Sequence, residues 1–302
     1  MAMSTAGRTL ILSDTHMRES RRGAGSADAL RPLWQGCRRV IFNGDTCETR
    51  AQRYRDTARQ RLDELRRAAE ADGVELVLIA GNHDPFVTDR DWLELMDGRI
   101  VLTHGDLLHP AIAPWSDEDG VLASLRRQEL QREADDRGGS PAQLSLEEKA
   151  DATKRAAARH WRQQRQDAFE QRDRSWCHRR LRQAKTLGKV LYFWTEMPRR
   201  ARRFADREFP DCRFFIFGHI HRPGVWIDDD PAFARGSPDG PDPARRRVIL
   251  NTGSFHRPCR PRAVVLDDGG VTFWKIHADR KRGHRLADRP LRRFDYDANE
   301  SA

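Results

Sequence analysis

Aspartate, asparagine and histidine side chains recur along this chain in short polar motifs. In order, the motifs are Asp14-Thr15-His16, Gly44-Asp45, Gly81-Asn82-His83-Asp84, His104-Gly105-Asp106 and Gly218-His219-Ile220-His221. Oxygen donors bind hard divalent cations, and imidazole suits manganese, iron, zinc and nickel. Two such cations can clamp the attacking and leaving oxygens of a phosphoryl transfer and make hydroxide available near neutral pH. The residue types therefore predict a two-metal site for phosphoryl chemistry.

Apolar runs that are typical of buried strands precede these motifs. The runs are Leu10-Ile11-Leu12, Val40-Ile41-Phe42, Leu76-Val77-Leu78-Ile79, Ile100-Val101-Leu102 and Phe214-Phe215-Ile216-Phe217. In α/β sheets, ligands gather beyond the carboxyl ends of the strands. An unpartnered carboxylate at Asp14 or Asp45 would be expensive to bury, and a metal ion would remove that cost. We therefore predict an α/β fold of mostly parallel strands in which the motifs converge.

The five motifs in this order resemble the calcineurin-like metallophosphoesterase superfamily. Its pattern is D-x-H, G-D, G-N-H-D/E, H and G-H-x-H, and every element is present here. The resemblance covers residues 8–109 and 211–276. It implies a four-layer αββα sandwich, in which two packed sheets are flanked by helices. Here an inserted helical subdomain interrupts the sandwich.

The resemblance also implies two divalent metal ions, with manganese favoured and iron, zinc, nickel or magnesium left open. One ion would be bound by Asp14, His16 and His221, and the other by Asn82, His104 and His219. Asp45 would bridge them. The implied reaction is the attack of a metal-bound hydroxide on a phosphomonoester, phosphodiester or pyrophosphate.

His83 is expected to stay off the metals and to assist the leaving group, since a histidine titrates near neutral pH. Asp84 is its expected orienting partner. Cys47 and His109 lie close to the motifs in sequence, and their roles stay open. His256 is expected to be an ordinary surface or core histidine. Residues 251–254, Asn-Thr-Gly-Ser, are expected to form a turn beside the site.

Composition limits the number of domains, the cellular location and the use of the cysteines. The 302 residues suffice for one large domain or two small ones, and 33% of them are charged. An 18-residue apolar run is absent from the sequence, and the first strand starts too early to leave room for a secretory signal. We therefore expect a cytoplasmic protein. The five cysteines are odd in number and irregularly spaced, so neither a disulfide framework nor a zinc ribbon is indicated.

The chain divides at the long gap between His104 and Gly218. We predict a core of residues 1–109 and 209–277, an Arg-rich helical insertion at 110–208 that is a cap or lid candidate, and a mobile basic polar tail at 278–302. Helices are expected at 24–35, 51–72, 121–136 and 145–185, with a capping box at Ser145-Leu146-Glu147-Glu148. A further helix through Leu187 and Trp194 is expected to end at Pro198.

Charge raises the question of substrate. Residues 121–208 carry a net charge of +9, which equals that of the whole chain, and Arg199-Arg200-Ala201-Arg202-Arg203 is the densest cluster. A solvated helical face with i,i+4 ion pairs would explain many of these charges, and a role in substrate or membrane binding is the open alternative. Arginine suits phosphate, so in that alternative the expected partner is a phosphorylated anionic substrate, with nucleotide-sugar and lipid-linked phosphates both open. Peripheral contact with the inner face of the membrane is left open too.

Three classes of function fit the insertion. The layout resembles UDP-2,3-diacylglucosamine diphosphatases, although those enzymes usually have Arg at the position of His83 and D-L-H at residues 14–16. A nuclease is the second reading, because basic helices can follow a phosphate backbone. A non-catalytic metal-bound scaffold for protein interactions is the third.

Overall fold

The computed structural model of the chain describes residues 7–17, 23–49, 52–113, 120–170, 176–228, 246–256, 258–279, 281–297 and 300–301. Two compact units are present, residues 1–104 with 201–302 and residues 105–200. Among the described residues the helices are α1 (Ala27–Trp34), α2 (Gln52–Ala71), α3 (Val121–Asp136), α4 (Leu146–Glu170) and α5 (Trp176–Glu208). Short 3-10 turns lie at Asp106–Leu108 and Pro141–Gln143.

The strands belong to the first unit. They are β1 (Thr9–Leu12), β2 (Arg39–Asn43), β3 (Glu75–Ile79), β4 (Trp92–Leu95), β5 (Ile100–Thr103), β6 (Phe214–Phe217), β7 (Gly224–Ile227), β8 (Val248–Asn251), β9 (Arg262–Asp267), β10 (Gly270–His277), β11 (Arg285–Leu286), β12 (Arg292–Phe294) and β13 (Glu300–Ser301). One sheet has the order β13-β12-β10-β9-β1-β2-β3, with β11 paired to β10, and the other has the order β4-β5-β6-β8-β7.

Both sheets are mixed, which differs from the expectation of mostly parallel strands. The parallel blocks are β1-β2-β3 in one sheet and β5-β6-β8 in the other. The remaining pairs are antiparallel because hairpins such as β9-β10 extend the sheets at their edges. The predicted motifs follow strands of the two parallel blocks, so their loops leave the sheets at carboxyl ends.

Apolar side chains from the two sheets meet in one cluster. Ile11, Ile41 and Ile79 of the first sheet pack with Leu102 and Ile216 of the second. Strand side chains alternate between the two faces, so the opposite face of the first sheet is also apolar, and it packs against α1 and α2. The result is a rigid double sheet that holds the loops at the strand ends.

The start of α1 has an identifiable cause. The Ser26 hydroxyl accepts a hydrogen bond from Ala29 N at 3.4 Å, which satisfies an N–H group left free in the first turn. Leu30, Leu33 and Trp34 then place one apolar face against the sheet. The observed helix falls within the predicted range of 24–35.

The unit formed by residues 105–200 is helical in the part that the structure describes. The predicted capping box opens α4: Ser145 N donates to Glu148 Oε2 at 2.7 Å, and Glu148 N donates to Ser145 Oγ at 3.2 Å. Helices α3 and α4 share a small apolar cluster that includes Leu125 and Ala156. Within the described residues, none of the helices is long and apolar enough to cross a membrane.

Two further sequence expectations were wrong. The helix expected to end at Pro198 continues to Glu208, because Met197, Ala201, Phe204 and Ala205 form a buried face that offsets the backbone hydrogen bond lost at proline. The tail after His277 was expected to be mobile, but β12 pairs with β10 and the Phe294 ring is fully buried. Most of the predicted loop at 228–243 lies outside the described residues.

Candidate metal centre

The backbone is strained at five of the seven residues predicted to bind metal. Asp14, His16, Asp45, His219 and His221 all have positive φ angles, between 44° and 69°. Residues other than glycine rarely adopt this conformation, and it clusters at functional sites where the surrounding structure enforces it. Sharp turns after β1, β2 and β6 therefore direct several donor groups towards one region.

The first group of donors comprises Asp14, His16, Asp45 and His221, whose ligand atoms all lie within 4.8 Å of one another. The Nε2 atoms of His16 and His221 are 3.1 Å apart, and His221 Nε2 is 3.1 Å from Asp14 Oδ1. Two imidazole nitrogens and a carboxylate oxygen that converge in this way are suited to sharing one cation.

The second group comprises Asp45, His104 and His219, again with ligand atoms within 4.8 Å of one another. His104 Nδ1 lies 3.1 Å from the carbonyl oxygen of Asn43, so it carries the proton and donates it. His104 Nε2 faces Asp45 Oδ2 at 3.3 Å. Asp45 thus belongs to both groups.

Asn82 adds an observation of its own. Its side chain is buried, and among the described residues its Oδ1 atom has no hydrogen-bond partner. A buried amide oxygen without a partner costs free energy, and a cation would supply the missing partner. Together with the buried carboxylates and imidazoles, this oxygen gives a donor set that fits two divalent ions.

His83 is held by Glu48, a residue that the sequence analysis missed. His83 Nδ1 is 3.0 Å from both Glu48 carboxylate oxygens, and Glu48 Oε1 is also 3.0 Å from His16 Nδ1. A carboxylate only accepts, so both Nδ1 atoms donate, and each Nε2 lies 3.8 Å from Asp45 Oδ2. The available signal was an acid three residues beyond Asp45.

Asp84 does not orient His83 as expected. Its carboxylate faces the backbone instead and accepts hydrogen bonds from Asp45 N, Thr46 N, Cys47 N and Gly81 N, at 2.7–3.1 Å. This network joins the loop after β2 to the loop after β3. The physical reason for the difference is that a fully buried Asp84 satisfies backbone donors that water cannot reach.

Glycines allow the loops to approach the donors. A Cβ atom on Gly44 would overlap the His104 ring, one on Gly81 would overlap Asp45, and one on Gly218 would overlap Asp14 Oδ2 and Ser13. Each of these glycines belongs to a predicted motif. Their role here is to leave room for a neighbouring donor group.

The charged groups of the centre shift one another's pKa values. Burial raises the pKa of Asp14, but the hydrogen bond and charge of His221 outweigh it and leave the pKa below its ordinary value. Burial lowers the pKa of His221, yet the hydrogen bond with Asp14 raises it to about 10. The centre therefore favours a positive charge among its carboxylates, which a proton or a metal ion can supply.

Glu48 and Asp84 shift in opposite directions. Burial raises the pKa of Glu48, but the charge of His83 and the hydrogen bonds from His16 and His83 outweigh it and hold the pKa far below its usual range. Burial and the charge of Asp45 raise the pKa of Asp84 to about 7. Glu48 is thus the ionised carboxylate beside His83.

Other residues near the motifs have structural contacts. Ser254 Oγ donates to the carbonyl oxygen of Asp14 at 3.1 Å, so it supports the loop after β1. Cys47 is fully buried, and burial raises the pKa of its thiol well above the ordinary value. His109 belongs to the helical unit, where its Nδ1 accepts from Ala111 N at 3.0 Å and its ring packs on Phe193.

The arginine cluster is partly used in ion pairs. Arg202 Nε is 2.9 Å from Asp228 Oδ1, and Arg200 Nε is 3.3 Å from Glu196 Oε1. Two of the four arginines of the cluster are therefore explained by ion pairs with acidic side chains of this chain. Arg203 is exposed.

Comparison with protein families identifies the class. The chain belongs to the calcineurin-like phosphoesterase family, whose model matches residues 7–223. Comparison with curated protein sequences gives no match.

Solved structures similar to this chain share little sequence with it. A dimetal phosphatase from Danio rerio is 13% identical, with a TM-score of 0.41 over 89% of this chain and 96% of that one. A single mutant of Vps29 from Entamoeba histolytica is 13% identical, with a TM-score of 0.40 over 94% of this chain and 99% of that one. A cold-active protein tyrosine phosphatase is also 13% identical, with a TM-score of 0.38 over 99% of this chain and 83% of that one.

Proposed function

We propose that this chain is a dinuclear metal-dependent phosphohydrolase that cleaves a phosphate ester or anhydride bond of an anionic substrate. The observation that carries the proposal is the position of Asp45. Its carboxylate belongs to both groups of donor atoms, and a carboxylate has two oxygens with which to join two cations. Family membership supports the same chemistry.

The donor groups suggest how the ions would be divided. Asp14, His16 and His221 would hold one ion and share Asp45 with the other. Asn82, His104 and His219 would complete the second position, with Asn82 contributing its buried Oδ1. The mixture of oxygen and imidazole donors favours manganese, and iron, zinc, nickel and magnesium stay open.

When bound, the two ions would neutralise phosphate charge and lower the pKa of water towards about 7. His83 is the group of this chain that we propose to handle the leaving-group proton. Its Nδ1 donates to Glu48, and its Nε2 faces the centre, 3.8 Å from Asp45 Oδ2. A protonated His83 would therefore offer the Nε2 proton to the departing oxygen, while ionised Glu48 stabilises the imidazolium.

His16 has a different task, although it shares Glu48 with His83. Its Nδ1 donates to Glu48, so its Nε2 presents a lone pair towards Asp14 and His221. Glu48 thereby fixes the proton position on both rings at once. We propose that Asp84 acts on the framework only, by holding together the loops that carry Asp45 and Asn82.

We propose that the double sheet and its helices form the family's four-layer αββα sandwich, with the helical unit as an insertion in it. We do not extend the proposal to the UDP-2,3-diacylglucosamine diphosphatases, because Glu48 here binds a histidine at the position where those enzymes usually have arginine. Nucleotide-sugar and lipid-linked phosphates stay as substrate classes to be tested.

The test is hydrolysis of p-nitrophenyl phosphate and bis-p-nitrophenyl phosphate while Mn²⁺ is titrated into chelator-treated protein. We expect the rate to rise with added Mn²⁺ and to reach its plateau near two ions per chain. The ratio of monoester to diester rates then selects the substrate class. A rate that is unchanged by chelation would overturn the proposal.

A further inference from the structure

His256 lies beside the metal centre, although nothing in the sequence motifs predicted it there. Its ring is stacked on that of His221, with centroids 6.0 Å apart and planes inclined by 29°. It also meets the His16 ring edge-on at 5.9 Å. His256 is only partly buried.

The loop after β8 holds His256 in this place. Ser254 Oγ accepts a hydrogen bond from His256 N at 3.0 Å and itself donates to the carbonyl oxygen of Asp14. Cys259 N donates to the carbonyl oxygen of His256 at 2.8 Å, and the Cys259 side chain is hydrogen-bonded to the His221 ring. The backbone of His256 is therefore tied to two of the proposed metal ligands.

The ring of His256 is near the centre without being part of the donor groups. The first group, with ligand atoms within 4.8 Å of one another, contains Asp14, His16, Asp45 and His221 but not His256. An imidazole carries at least one N–H donor in either charge state. A partly buried histidine beside the donors, with its backbone hydrogen-bonded in the loop, is placed to contact a group that binds at the centre.

The chemistry of the neighbouring donor groups indicates which chemical group that is. The rings of His221 and His16, which His256 meets, belong to the donor group proposed to hold a divalent ion for phosphoryl chemistry. Phosphate oxygens accept hydrogen bonds from imidazole N–H groups.

We propose that His256 binds the phosphoryl group of the substrate by donating a ring N–H to a non-bridging phosphate oxygen. It is then a substrate-contacting residue distinct from the metal ligands and from His83. This inference rests on the proposed function, because it requires a phosphoryl group to bind at the metal centre whose two donor groups share Asp45.

The test compares His256→Ala and His256→Asn with the wild type, all loaded with Mn²⁺, and uses His277→Ala as the matched control because His277 is exposed at the end of β10. Metal content is counted by mass spectrometry. Binding of orthophosphate is measured by calorimetry, and KM and kcat are measured for p-nitrophenyl phosphate.

We expect two ions per chain in every variant. In His256→Ala the Kd for orthophosphate and the KM should rise about 10- to 100-fold, the range for losing a hydrogen bond to a charged group. His256→Asn should recover part of the affinity, since its amide also donates, and His277→Ala should match the wild type.

Two results would overturn the inference. One is an unchanged phosphate Kd and KM in His256→Ala, and the other is loss of metal from that variant, which would make His256 part of the ligand framework. If the wild type binds metal and orthophosphate but does not hydrolyse esters, the proposed function fails while the phosphate measurement still decides the role of His256.

Discussion

The Glu48 carboxylate lies 3.0 Å from Nδ1 of His83. The same carboxylate contacts Nδ1 of His16, so one acid fixes the proton positions of a proposed metal ligand and of the proposed proton donor. Neither Glu48 nor His83 belongs to the two donor groups that share Asp45, but together with His16 they form a third group of possible metal ligands, so metal counting on variants of the pair must separate a ligand role from a proton-donor role.

For His83→Ala we expect both metal ions to be retained and kcat to fall about 100- to 10,000-fold, the usual contribution of a positioned acid. Metal content and kcat with p-nitrophenyl phosphate check this. A variant that has lost one metal would show that His83 is a ligand.

For Glu48→Gln we expect a smaller loss in kcat, about 10- to 100-fold, because the amide keeps the shape but no longer stabilises the imidazolium. In the His83→Ala background, Glu48→Gln should slow the reaction by less than it does alone, because only its contact with His16 then remains to be lost. Fully additive losses would mean that Glu48 acts through His16 alone.

Asp45→Asn is expected to reduce metal content and to lower kcat by at least about 1,000-fold, because several kcal/mol of transition-state stabilisation depend on the bound ions. Metal counting on purified protein and the rate at saturating Mn²⁺ check the two parts separately. Full metal content together with a wild-type rate would remove Asp45 from the bridging position.

Gly218→Ala tests the close approach of the loop after β6 to Asp14. The added Cβ would overlap Asp14 Oδ2, so we expect weaker Mn²⁺ binding and a lower Tm. Gly188→Ala is the matched control, since a Cβ there meets no atom within 4 Å and should stabilise α5 by about 0.5–1 kcal/mol. Equal Mn²⁺ affinities in the two variants would count against the packing argument.

Metal affinity should rise with pH. The pKa of His221 is raised to about 10, so its imidazole is protonated at neutral pH when no metal is bound, and a metal ion must displace that proton. Affinity should therefore increase about tenfold per pH unit for each proton released, between pH 6.5 and 8.5. Calorimetry in buffers of different ionisation enthalpy measures the released protons, and a pH-independent affinity would contradict the account.

The convergence of these side chains could be predicted because the residues follow strands. Asp14, Asp45 and His104 each lie in the loop after an apolar run, and the parallel pairing of β1 with β2 and of β5 with β6 brings such loops together. The position of each motif after an apolar run is the feature of the sequence that indicates this convergence. Residue types alone were enough to predict oxygen and imidazole donors.

Glu48 and His256 could not be predicted in the same way. Their importance depends on side-chain direction in loops, where neither a period of 2 nor one of 3.6 applies. Pro198 and Phe294 were misjudged for a related reason. Tertiary packing of Met197 and Phe204 outweighed the local effect of proline, and pairing with β10 ordered a segment whose composition is polar.

The most direct measurement is anomalous scattering from a crystal of the Mn²⁺-loaded protein. The account predicts two peaks that share Asp45, one beside His16 and His221 and the other beside His104, His219 and Asn82. A single peak, or a peak bound by Glu48 and His83, would contradict it.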